Sequence, residues 1–312
     1  MPIHTILGPT CSGKTAVALA LAERMDAEIV SCDSMQVYRE LNAGTAKPTL
    51  EERRRVPHHL VDILSMSERF DAGRFCRLAT AAIHDIQDRA HVAILAGGTG
   101  LYAKALVYQL PLLPSDDEVF ADVLKRAGGP DGLEALAAEV AAHKADAVPG
   151  LRENPRRLMR AVEVLRLTGH LPDEIHRPEI SDVPDPAFRQ VILMPEPQSH
   201  KAAIQRRTRE MVNHGWIEEV RALMRQGLFS TPTARQALGY RDVARFIEEQ
   251  ADPEARPLEH LAEDIATRTW QFARRQRTWF RHQHPGATIL PVDQTTSAEA
   301  LAKTILSNAD AA

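Results

Sequence analysis

Eight residues near the start of the chain, "GPTCSGKT" from Gly8 to Thr15, satisfy the G-x-x-x-x-G-K-[ST] spacing of a phosphate loop at every fixed position. In such a loop, successive backbone N–H groups and the N-terminus of the following helix form a cradle for anions. Gly8, Pro9, Thr10, Cys11, Ser12 and Gly13 would wrap the phosphates, and Lys14 would supply positive charge. Thr15 is placed to ligate Mg²⁺, directly or through water. Cys11 reads as a small loop residue, since nothing near it resembles a base. The loop does not say whose phosphates it holds. They could be those of ATP, or of another substrate that ends in a diphosphate.

Asp33, in "SCDSMQVY", closes a second apolar run. A carboxylate there could take a proton or hold a metal through water. It could equally be a turn or helix-capping aspartate. "AGGTG" (Ala96–Gly100) ends a further apolar run, and the Thr99 hydroxyl could touch a leaving group or simply close a turn. The adjacent His58 and His59 lack the i, i+4 spacing of helical metal ligands and read as structural. Two segments concentrate arginine. "RRLMRAVEVLR" carries Arg156, Arg157, Arg160 and Arg166, and "TRTWQFARRQRTWFRHQ" carries Arg268, Arg274, Arg275, Arg277 and Arg281 with no acid among them. On a helix Arg274, Arg277 and Arg281 share one side, and Trp270, Phe272, Trp279 and Phe280 are interleaved. Arginine binds phosphates in bidentate fashion and aromatics can stack on unpaired bases, although core packing is the ordinary role of such aromatics.

The elements that must position these residues alternate. "IHTILG" is a strand running into the loop, "KTAVALALAERM" a helix, and "AEIVSCDS" a second strand. "DAGRFCRLATAAIHDIQDRA" has helical spacing, with Phe75, Leu78, Ala82, Ile83 and Ile86 on one side, and "HVAILAGG" is a buried strand. The pattern predicts an α/β fold: a P-loop NTPase-like parallel sheet flanked by helices, its ligand at the carboxyl ends of the strands. From about Pro114 the pattern turns helical, and "FRQVILMPE" returns as one strand. We therefore expect an α/β core over 1–114 and 188–312, with helices in its C-terminal part, and a helical insertion domain over 115–187. The 312 residues suit about two domains. A formal charge of −4 argues against a general nucleic-acid coat, but not against a local basic groove. Three scattered cysteines indicate neither a disulfide framework nor a zinc module. With no signal peptide or membrane span in the pattern, the expectation is a soluble, cytoplasmic protein.

Taken together, "GPTCSGKT", "SCDSMQVYRELNAGTAKPT", "VPHHLVDIL", "AGGTGLYAKAL", "NPRRLMRAVEVLRLTG", "ALGYRD" and "ARRQRTWFR" resemble the tRNA dimethylallyltransferase family, in the family's order and over most of the chain. The resemblance implies that the loop holds dimethylallyl diphosphate rather than ATP. The implied reaction moves the dimethylallyl group to N6 of the adenosine 3′ of the anticodon in tRNA. Asp33 would then be the base, and Thr99 and Arg207 would act on the leaving diphosphate with Lys14 and Mg²⁺. Asp33, Ser34, Met35 and Gln36 would contact the flipped base. Arg156, Arg157, Leu158, Met159, Arg160, Gly239, Tyr240, Arg241 and the run Arg274, Arg275, Gln276, Arg277, Thr278, Trp279, Phe280, Arg281 would bind the tRNA anticodon stem-loop. Whether Trp279 and Tyr240 face RNA or core is open at this point. The resemblance further implies a monomer that needs no membrane. A P-loop kinase with a true ATP site, or an RNA-binding module with an inert loop, are the rival readings. Cys11, Cys32, Ala203 and Trp270 stand where the family usually has other residues.

Overall fold

A computed structural model of the chain describes residues 1–176, 182–249, 257–293 and 296–310. Its first two strands, β1 (Ile3–Leu7) and β2 (Ala27–Cys32), are buried at every position, as a sheet covered on both faces requires. With β3 (His58–His59), β4 (Val92–Gly97), β5 (Phe188–Pro195) and β6 (Thr288–Val292) they form one sheet in the order β3-β2-β4-β1-β5-β6. Every pairing in it is parallel. The parallel α/β expectation therefore holds. β6 was not legible in the sequence, because it is a short edge strand with Thr288, Ile289 and Pro291 exposed and only Leu290 and Val292 packed at the margin of the core.

Helices α1 (Lys14–Met25), α2 (Leu50–Arg55) and α3 (Ala72–Asp88) connect the first four strands, and α4 (Gly100–Val107) follows β4. On α3, Asp71 caps the N-terminus by accepting from Arg74 N–H, and Phe75, Ala79, Ile83 and Ile86 are buried. Leu78 and Ala82 pack at the margin of the same core. The chain divides into two compact units, Met1–Leu110 with Ser181–Ala312, and Pro111–Ile180. The second unit contains α5 (Asp117–Ala127), α6 (Gly132–His143), α7 (Val148–Arg152) and α8 (Pro155–Thr168) around Val123, Leu136, Val140, Leu158 and Val162. It overlaps the helical insertion expected over 115–187, of which 177–181 lie outside the described residues. Residues nearer the end of that span fasten to the sheet unit: Asp185 N–H donates to Val107 O at 2.9 Å, and Gln109 donates to the Asp185 carboxylate at 3.0 Å.

After β5 come α9 (Pro197–Met211), α10 (Ile217–Arg225), α11 (Tyr240–Glu249), the long α12 (Leu258–Gln283) and α13 (Ala298–Asp310). Between α9 and α10 the helix breaks at Val212–Trp216, where His214 is non-helical and Gly215 takes a φ of 89°. A left-handed step of this kind favours glycine. Helix α13 extends to Asp310, and Leu301, Ala302 and Ile305 pack with α1 residues such as Val17 and Leu21. Among the described residues no helix is long and apolar enough to cross a membrane.

One buried acid ties the far side of the sheet. Glu28 of β2 accepts from both terminal nitrogens of Arg89, and His59 Nε2 lies 2.6 Å from its Oε2. Arg89 above all, then His59, holds its pKa down at about 2 against the opposing effect of burial. A depressed carboxylate contributes stability that is complete above its unfolded pKa near 4.5 and is lost as pH falls toward 2. Glu28→Gln should therefore be less stable than the parent in urea at neutral pH, with the gap narrowing through that acid window.

Candidate active site

The strand register delivers three loops to one place. Leu7 pairs with Gly97 and Gly97 with Cys32, so Gly8, Gly98 and Asp33 leave the carboxyl end of the sheet side by side. Gly97 allows that closeness, because a Cβ there would run into the backbone of Cys32. Within the phosphate loop Cys11 (φ 59°) and Gly13 (φ 84°) are left-handed, the kind of step from which backbone anion nests are built.

Three charges meet at this loop. Lys14 Nζ donates to Pro9 O at 3.2 Å. Burial lowers the Lys14 pKa, the Asp33 carboxylate opposes that shift, and the Arg207 guanidinium of α9 adds to it. Arg207 Nη1 also donates to Cys11 Sγ at 3.4 Å, so this arginine, named from sequence on a loose match, stands at the loop. Thr15 is exposed at the first turn of α1.

Asp33 shapes a turn with one of its two carboxylate oxygens. Its Oδ1 accepts from Met35 N–H at 2.8 Å and Gln36 N–H at 3.3 Å, which is turn-forming work. Its Oδ2 has no hydrogen-bond partner among the described residues. Thr99 N–H donates to Cys32 O, and the Thr99 hydroxyl oxygen accepts from Ser34 N–H at 3.1 Å. The Thr99 hydroxyl proton is thus left for a ligand. Gln36 is engaged within the protein at both ends of its amide. It accepts from Ser31 and donates to the carbonyls of Thr45 and Ala46.

Several residues expected at an RNA surface lie inside instead. Tyr240 is fully buried, and its hydroxyl donates to Glu219 at 2.7 Å. Phe280 packs in the same core, and Leu158 and Met159 fill the core of the helical unit. The reason is hydrophobic: these side chains form the inner stripe of their helices. Gly239 is buried too, with Trp216 so close that a Cβ would overlap it. Trp279 is half-buried against Gly100, its indole N–H without a partner. Arg277 is only 7% exposed and donates to Pro195 O at 2.5 Å. The helical unit presents Arg156 and Arg157 to solvent at the N-terminus of α8, where the Asn154 side chain accepts from both backbone N–H groups. Arg160 is half-buried, paired with Glu163 and donating to Leu113 O. In the sheet unit Arg241, Arg274, Arg275, Thr278 and Arg281 are exposed.

Two groups went unnoticed in the sequence. Glu219 of α10 accepts from Asn42 N–H at 2.9 Å and Ala43 N–H at 2.8 Å as well as from Tyr240, and so anchors the turn whose carbonyls Gln36 grips. His200 of α9 reaches the carbonyl of Thr10 in the phosphate loop at 2.7 Å. A lone acid or histidine on a helix carries no spacing signal. Lys47 closes the same turn by donating to Tyr38 O and Asn42 Oδ1 and pairing with Asp62.

The family model described as IPP transferase matches residues 36–283. A tRNA dimethylallyltransferase of Methylococcus capsulatus is 40% identical over 287 residues, covering 90% of each chain. One of Thermus thermophilus is 39% identical over 290 residues, covering 93% of this chain and 92% of that one. Among solved structures, a tRNA isopentenylpyrophosphate transferase from Bacillus halodurans superimposes with a TM-score of 0.69 at 30% identity, covering 99% of this chain and 96% of that one. A eukaryotic dimethylallyltransferase described as acting on tRNA shares the fold at a TM-score of 0.73, with 24% identity and coverage of 99% and 77%.

Proposed function

The chain belongs to the IPP transferase family, and from that premise we propose that it is a tRNA dimethylallyltransferase that transfers the dimethylallyl group of dimethylallyl diphosphate to N6 of the adenosine 3′ of the anticodon. The observation that supports this most directly is the meeting of a carboxylate, an ammonium and a guanidinium (Asp33, Lys14 and Arg207) at the loop where the three strand ends converge. A base and two cations fit an amine nucleophile and an anionic leaving group.

The adenosine amine attacks the allylic carbon as that carbon's bond to oxygen breaks. The electron pair leaves on the diphosphate, and the amine proton passes to Asp33 Oδ2. Lys14, Arg207 and the loop amides hold the developing charge, and the Thr99 hydroxyl donates to it. Oδ1, held by two backbone N–H groups, keeps Oδ2 aimed. The base must leave its stack to reach this depth. Exposed arginines of α8 and α12 suit the stem-loop phosphates. Among the described residues no cluster of three His, Cys, Asp or Glu could hold a metal alone. The exposed Thr15 hydroxyl does fit Mg²⁺, which takes one or two protein oxygens and completes its shell with phosphate and water. When bound it would neutralise diphosphate charge. We assign the enzyme to the cytoplasm, as a monomer.

The test is single-turnover transfer of label from dimethylallyl diphosphate to unmodified tRNA, beside an ATP-consumption assay. Label on one adenosine without ATP use is the expected result. ATP consumed on a small acceptor, with tRNA unlabelled, would return the loop to the kinases.

A further inference from the structure

Thr10 of the phosphate loop is held from two sides, by Gln276 of α12 and by His200 of α9. Its N–H donates to Gln276 Oε1 at 2.9 Å, while Gln276 Nε2 donates to Gly98 O at 2.8 Å in the second glycine turn. One amide thus joins the two loops that meet at Lys14; a Cβ added to Gly98 would find Gln276 Nε2, Gly8 O and Lys14 Nζ all within 3.4 Å. The Thr10 carbonyl is met by His200 Nε2, and Arg277 Nη1 stands 3.4 Å from His200 Nδ1. Arginine can only donate, so Nδ1 accepts and the ring proton sits on Nε2, from which it goes to Thr10 O. Gln276 and Arg277 are flanked by Arg274, Arg275 and Arg281, which face solvent on the same helix.

We infer that Gln276 and His200 are positioning residues of the diphosphate site, and that Gln276, although it lies within the arginine-rich run, acts on the donor loop and not on RNA. The inference rests on the reading that this loop holds the donor's diphosphate. It makes α12 a single body with RNA-facing arginines outside and a brace on the donor loop inside.

The experiment measures binding of inorganic diphosphate and of anticodon stem-loop RNA, each alone, to the full chain and to Gln276→Ala, Gln276→Glu, His200→Ala and Lys14→Ala, with KM for each substrate. Gln276→Glu keeps the acceptor for Thr10 N–H and sets a carboxylate against Gly98 O, so it separates the brace from mere loss of bulk. We expect both Gln276 variants and His200→Ala to weaken diphosphate by about tenfold, the scale of one lost hydrogen bond to a preorganised loop, with RNA affinity within about twofold. RNA affinity falling while diphosphate binding stays unchanged would overturn the inference, as would no change in either. Should diphosphate binding be indifferent to Lys14→Ala as well, the donor-site reading itself falls, and that outcome is distinct from a Gln276 effect missing beside an intact Lys14 effect.

Discussion

Asp33→Asn should lower kcat by about a thousandfold while affinity for the anticodon stem-loop stays within about twofold, a loss within the range expected for a removed general base. Asparagine keeps Oδ1, which accepts from Met35 and Gln36 N–H and shapes the turn, so the backbone should survive. What it loses is the proton acceptor at Oδ2. Alanine is the poorer test, because it also removes the turn-forming acceptor and confounds base with scaffold. Single-turnover rates on tRNA, with binding measured in parallel, separate the two effects. An Asp33→Asn enzyme with undiminished kcat would remove Asp33 from the chemistry and leave it a turn residue.

Lys14→Ala should lower kcat/KM for the donor by about a hundredfold or more, in line with the removal of one preorganised charge facing a leaving group. Lys14→Arg should not restore it. The ammonium is folded against Pro9 O beside Gly98 as a compact point charge, and a longer planar guanidinium would direct its donors differently. The pH dependence has a definite sign. Burial lowers the Lys14 pKa below its ordinary 10.5, only partly opposed by Asp33, so the cation is lost at a lower pH than an exposed lysine would lose it. Donor affinity in the parent should therefore weaken on the alkaline side at a lower pH than an exposed lysine would dictate, and that limb should vanish in Lys14→Ala. Calorimetric titration of inorganic diphosphate across that range measures both.

The loop, Asp33 and Thr99 were legible because short-range pattern fixes them. A glycine spacing, a strand end and a second glycine turn are local, and the parallel register then brings them together. The arginine-rich helix was legible only as charge. Sequence spacing put Arg277 with Arg274 and Arg281 on one side, but a helix packed against α9 draws the margin of its buried stripe through that side, and Arg277 falls within it, reaching Pro195 O at the end of β5. Tyr240, Phe280, Leu158 and Met159 were assigned to RNA by likeness of their surroundings, yet a large apolar side chain in a helical run goes inward unless something else claims it. Glu219 and His200 could not be found, since their partners lie far off in sequence at Asn42, Ala43 and Thr10.

Arg207 and Glu219 are aimed at different targets, the donor loop and the turn beneath Gln36. On an uninterrupted helix the residues between them would fix their relative angle at about 120°. The break at His214 and Gly215 lifts that constraint. The phase of the two segments is thus set by the backbone at the break rather than by residue spacing. A substitution that rotates α10 about its own axis can shift the Asn42–Ala43 turn held by Glu219 while Arg207 stays beside Cys11 of the phosphate loop.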